Sequence, residues 1–229
     1  MKIVDVQQGS LEWMVARAGV VTASEFDNIV KSNFDPRDGQ MPKTYLAQKV
    51  AEKWLGGPLP GFSSFDMEQG QFLETEARPF FTCETGLQTT SVGLITTDDG
   101  MIGCSPDALI GEESGVEIKC PAPQTHVSYL LANRLPPEYA PQVHGSMFVT
   151  GRPHWYFLSY RRNFPPMILK IERDENIMIK LRYALDSFLE RYAEAYQEIC
   201  DLNGGPPRRY KVSQPQPKPE APLPFDLVP

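Results

Sequence analysis

Histidine and cysteine are scarce: three histidines and four cysteines in 229 residues. Cys83, Cys104, Cys120 and Cys200 form no CxxC pair, and no His lies at ligand spacing from another, which argues against a zinc site and leaves reduced thiols of a cytosolic protein as the expectation. No run reaches the ~18 apolar residues of a membrane span, and Met1–Asp5 lacks the apolar core of a signal peptide. Positive charge is also short: 22 Lys and Arg against 29 Asp and Glu give a net charge of -7. That excludes a generic basic nucleic-acid binder, though not an enzyme that meets an anion through a local basic surface. Residues 1–204 hold 27 acids and 18 bases, and the remainder holds 2 acids and 4 bases, so the acidity sits in the body.

Proline is plentiful but unevenly placed. Eight of the 22 prolines fall between Pro206 and Pro229, so residues 204–229 read as a disordered, partly polyproline tail behind one domain over 1–203. The first third of that domain reads helical. Thr22-Ala23-Ser24-Glu25 has the form of a capping box opening a helix with Phe26, Ile29 and Val30. Pro42 starts a second helix that ends at Gly56-Gly57, and Asp66 to Thr85 reads as a long helix that Pro79 should kink or divide. Strands are predicted over 91–96, 101–110 in broken form, 116–120, 154–160 and 167–171, with helices over 138–149 and 174–201. That order predicts an α/β fold, a central mixed β-sheet flanked by helices.

The run from Asp98 to Pro121 carries the chemistry. Alternate residues of a strand share a face, so Glu117 and Lys119 should lie on one surface while Val116 and Ile118 face the core. A turn through Gly111 to Gly115 would return Asp107 beside Glu117. Two carboxylates and an ammonium in that layout suit hydrolysis of a phosphodiester. Hard oxygen ligands hold Mg²⁺, which polarises phosphate and acidifies water, and the lysine orients the nucleophile or stabilises added charge. Asp107 would bridge two ions, Glu117 and the Ile118 carbonyl would complete one shell, and Asp98 or Asp99 would serve the other. A surface Glu-Lys pair on a plain hairpin is the bland alternative.

Three further clusters bear on that site. Glu74, in Gly70-Gln71-Phe72-Leu73-Glu74, would reach the metals or Lys119, against the plain reading of an exposed Glu74-Arg78 helix pair. Arg17 and Ser24 beside the expected helix start make an anion site, against a simple cap. Gln142 and His144 sit on the helix after the strands, where Gln142 would meet a base or phosphate; a lone His is more often structural.

These motifs occur in one order that resembles the phage lambda exonuclease group, the YqaJ-like viral recombinases of the PD-(D/E)xK nucleases. The resemblance runs from Gln8-Gly9, Trp13 and Arg17 to Glu25 through Gly70–Glu74, Cys104-Ser105-Pro106-Asp107, Glu117-Ile118-Lys119-Cys120-Pro121, Gln142-Val143 and Trp155-Tyr156-Phe157 to Ile171–Glu175. It implies a restriction-endonuclease-like core and a processive 5′-to-3′ exonuclease. Such an enzyme digests one strand of linear double-stranded DNA to mononucleotides and leaves a 3′ overhang for recombination. Two Mg²⁺ ions (or Mn²⁺), a homotrimeric ring, a single-strand annealing partner and a phage or prophage origin in the bacterial cytoplasm follow from the same resemblance. Carried over by position, Asp107 and Glu117 bind metal, Lys119 and Glu74 assist the water, and Arg17, Ser24 and Ser105, joined by Arg37, hold a 5′-phosphate. Met67 falls where an apolar wedge splits the terminal base pair, and Gln142 and His144 face DNA. The stretch between Asp98 and Asp107 is one residue shorter than the family pattern, which leaves Asp98 and Asp99 as alternatives. Within the superfamily a structure- or sequence-specific endonuclease is the rival enzyme; a non-catalytic DNA-end clamp is the rival from another class.

Overall fold

A computed structural model describes residues 1–59 and 65–207; within it, the side chains of 65–72 and of Glu74 are not described. The proline-rich segment from 208 on lies outside the described residues. Eight strands and six α-helices are described. Strands β1 (Lys2–Val4), β3 (Leu94–Thr96), β4 (Ile102–Cys104) and β2 (Val21–Thr22) form one sheet in that order, with β2 parallel to β4 and the other pairs antiparallel. A second sheet orders β5 (Ala108–Ile110), β6 (Ser114–Lys119), β7 (His154–Ser159) and β8 (Met167–Glu172), with β6 and β7 parallel. The fold is mixed α/β with flanking helices, as expected, but its strands hydrogen-bond as two sheets. An isolated antiparallel bridge joins Thr90, just before β3, to Leu109 of β5.

Burial on both faces of β6 explains the apolar character of its neighbours. Val116 and Ile118 pack with Leu158 of β7 against Ala77 and Phe81 of helix α3 (Phe65–Thr85). The helix continues through Pro79, rather than dividing there. On the other face, helix α5 (Ala140–Thr150) covers Trp155 and Phe157 through Val143 and Met147. Helix α6 (Glu175–Leu202) buries Met178, Leu181, Leu185, Phe188 and Tyr192, a stripe at three- and four-residue spacing. Each such side chain is worth about 2 kcal/mol. Its N-cap, Asp174, accepts from the Asn176 and Ile177 amides. Helix α2 (Gln40–Leu55) lies against α6, with Tyr45 stacked on Phe188 and a left-handed Gly56 at its end.

The capping-box reading fails in a specific way. Ala23–Asn28 forms a 3₁₀ helix, and Thr22 makes no side-chain bond to its backbone. The Thr22 hydroxyl is instead taken by Arg17 and Glu25. Phe26, Ile29 and Val30 are buried as expected, and Gly145 makes this possible, since a Cβ there would sit 2.6 Å from the Phe26 ring. Helices α1 (Leu11–Arg17) and α4 (Pro123–Ala132) were not predicted.

His144 is placed in this core rather than toward a DNA surface. It is 7 % exposed and meets Phe34 edge-on, with Nδ1 buried and unpartnered among the described residues. Burial, only partly opposed by Asp174, pulls its pKa down to about 4. The unfolded chain therefore binds this proton near pH 6.5 and the folded chain only near 4. Stability is expected to hold above pH 6.5, to fall by about 3 kcal/mol between 6.5 and 4, and to lose nothing further from this group below 4. Urea midpoints of the wild type and His144→Leu at pH 7 and 4.5 check this: the variant should lose less on acidification. Equal losses would assign the acid sensitivity to other groups.

Candidate active site

The β5–β6 hairpin assembles the carboxylates. Ala108 pairs with Val116 and Ile110 with Ser114, so Asp107 comes opposite Glu117 at the open end. Asp107 Oδ2 accepts from the Ile118 amide at 2.6 Å, which fixes it beside the strand. Arg152, 6 % exposed, donates to the Gly111 and Ser114 carbonyls and clamps the hairpin's closed end.

Glu117 is 3 % exposed, not a surface residue, because α5 covers its face of the sheet. Its Oε1 accepts from Lys119 Nζ at 2.8 Å and from Gln142 Nε2 at 2.6 Å. Gln142 therefore holds Glu117. The second oxygen, Oε2, is buried without a hydrogen-bond partner among the described residues. A buried carboxylate oxygen left unmatched is costly unless something positive meets it. That oxygen, with Asp107 alongside, fits a hard divalent cation. Lys119 lies over the Tyr139 ring at 5.1 Å, and Tyr139 packs on Phe157. Burial works against the Lys119 charge, but Glu117 and Asp107 outweigh it and raise the pKa above the ordinary lysine range. The ammonium thus stays charged at neutral pH.

A second cluster is joined to this site through Ser105, two residues before Asp107. Arg17 donates from Nη1 to Ser105 Oγ and from Nη2 to Ser24 Oγ and Thr22 Oγ1, each at 3.1 Å. Its guanidinium stacks on Trp13 at 4.4 Å, and Trp13 Nε1 also donates to Ser105 Oγ. Gln8 donates to the Pro106 carbonyl at 2.7 Å, pinning the link between Ser105 and Asp107. A fork of N–H donors flanked by hydroxyls suits a phosphate group.

Several expected members are elsewhere. Asp98 and Asp99 lie at the turn joining β3 to β4, while Asp107 leaves the other end of β4, so the hairpin holds them apart. Asp98 pairs with the Met1 ammonium at 2.7 Å, and Asp99 accepts from Thr97 and the Met101 amide, bonds that lower the pKa of each. No cluster of three His, Cys, Asp or Glu suited to a metal occurs among the described residues. Arg37 spends Nε on the Asp27 and Val30 carbonyls rather than on the Arg17 cluster. The side chains of Met67 and Glu74 lie outside the described residues. Trp13 and Gln8 entered the sequence reading only through the family motif, and Tyr139 not at all.

Residues 12–153 match the YqaJ-like viral recombinase domain, and the chain belongs to that family. Among solved structures, the alkaline exonuclease LHK-Exo from Laribacter hongkongensis is 28% identical with a TM-score of 0.76, covering 85% of this chain and 98% of that one. Its complex with dAMP matches at 29% identity and a TM-score of 0.77 over the same shares. A phage-related exonuclease from Haemophilus somnus 129PT, 13% identical with a TM-score of 0.58, covers 79% of this chain and 96% of its own and shares the fold alone. The comparison with curated proteins gives no match.

Proposed function

We propose that this chain is a nuclease of the lambda exonuclease kind, digesting one strand of linear duplex DNA from a 5′-phosphorylated end. The observation that carries this is the joining of two sites by Ser105-Pro106-Asp107. Ser105 belongs to the Arg17 cluster, and Asp107 stands beside Glu117. An anion seat two residues along the chain from a hydrolytic centre suits cleavage near a terminus. The dAMP complex of the relative adds support for a mononucleotide product.

Asp107 and Glu117 would hold Mg²⁺, with Mn²⁺ as a substitute, which when bound polarises the phosphate and acidifies water. Gln142 and Lys119 orient Glu117 toward it. Lys119 supplies a fixed positive charge beside the scissile phosphate. The described residues offer carboxylates for one ion; a second would lean on phosphate and water oxygens. A trimeric ring, and an annealing protein taking up the 3′ strand, complete the proposal by family likeness.

The test compares linear duplex with covalently closed circles in Mg²⁺ and in EDTA. Mononucleotides should appear from linear DNA only, and only with metal. Cut circles would identify an endonuclease instead, and bound ends without released nucleotides would identify a clamp.

A further inference from the structure

Behind the Arg17 cluster lies a buried charge that the hydrolytic site does not use. Lys49 of α2 is 4 % exposed, and its Nζ lies 3.0 Å from both Glu25 Oε2 and Glu52 Oε2. Glu52 has other donors, the Gly19 amide at 2.9 Å and Gln48 at 2.9 Å. Glu25 is different. Its remaining partners at Oε2 are the hydroxyls of Tyr45 and Thr22, each at 3.3 Å. Thr22 in turn accepts from Arg17. One hydroxyl thus separates a carboxylate from the guanidinium expected to grip a phosphate. Left uncompensated, that carboxylate would repel a phosphate dianion and compete for Arg17.

A buried lysine is a poor source of stability, since an apolar residue in its place costs no desolvation. Its position beside Glu25 gives it another use. We propose that Lys49, by neutralising Glu25, sets the preference for a phosphorylated over a hydroxyl DNA end, a specificity-determining role that rests on reading the Arg17 cluster as a phosphate seat. Lys49 touches no substrate and acts only through Glu25.

The experiment measures kcat/KM on linear duplexes with a 5′-phosphate and with a 5′-hydroxyl, taking their ratio. The hydroxyl-ended rate reports the amount of folded enzyme, because a neutral end is insensitive to the Glu25 charge. Lys49→Met should lower the ratio about ten-fold. Adding Glu25→Gln should restore it to within about two-fold of wild type, since the repelling charge is then gone. A ratio unmoved by Lys49→Met, or lowered but not restored in the double variant, overturns the proposal. Should Lys49→Met fail to fold, Glu25→Gln alone decides: the ratio should hold or rise, and a fall overturns the idea. A wild-type ratio near one would instead remove the phosphate seat itself, so the two failures are distinguishable.

Discussion

Lys119→Ala is expected to cut Mg²⁺-dependent release of nucleotides from linear duplex by about 10³-fold while end binding persists. A positioned charge in a dry site contributes a factor of 10²–10⁴, whether it orients water or stabilises developing negative charge. Here the ammonium is held from two sides, by Glu117 at 2.8 Å and by the Tyr139 ring, so little of its effect is lost to motion. The Arg17 cluster is built from other residues and should continue to hold a DNA end. Because Glu117 keeps Gln142 in the variant, a carboxylate remains oriented for metal. Single-turnover digestion with saturating enzyme, beside a gel-shift titration, separates chemistry from binding. Unchanged turnover would remove Lys119 from the reaction.

The sequence carried the hairpin well because its signals are local. Gly111 and Gly115 bracket a turn, residues 116 to 119 alternate, and the structure pairs Asp107 with the strand as that alternation requires. It failed where the deciding contact comes from far along the chain. Glu117 reads as exposed by alternation alone, yet α5, more than twenty residues later, buries it. Asp98 reads as near Asp107 by sequence, yet a strand between them sends the two in opposite directions. The Thr22–Glu25 motif is a genuine local signal that tertiary bonds from Arg17 override, and the chain there settles for a 3₁₀ turn. Helix α1 has no buried residue and so no stripe to read, while α4 follows Pro121 and shows its start only through Pro123 at its first position. Arg17 and Ser24 were joined by the expected helix start and Ser105 by family likeness, and the structure brings both serine hydroxyls to 3.1 Å from the Arg17 guanidinium. No periodicity would have added Ser105, because it lies some eighty residues further along the chain.

Gly115→Ala is expected to do more damage than its size suggests. A Cβ at this position would stand 2.4 Å from Trp155 Cη2 and 2.5 Å from Cζ2. Trp155 is fully buried, so its ring has nowhere to retreat without displacing Met147 and Phe157. Overpacking of this kind costs about 3 kcal/mol, which for a chain of this length lowers Tm by about 6–12 °C. The harm does not end with stability. Gly115 pairs with Leu109 in the hairpin, and a strand pushed off Trp155 carries Glu117 with it, two residues on. Activity below the new Tm should therefore fall too, although no side chain of the site is altered. Gly111→Ala in the same hairpin is the control. It sits at φ +50° with nothing within 4 Å, so it costs about 1 kcal/mol of backbone strain and leaves activity intact. Trp155→Phe, which removes the clashing ring edge, should relieve part of the Gly115→Ala defect in a double-mutant cycle. Additive losses across that pair would mean that the ring is not what excludes a side chain at position 115.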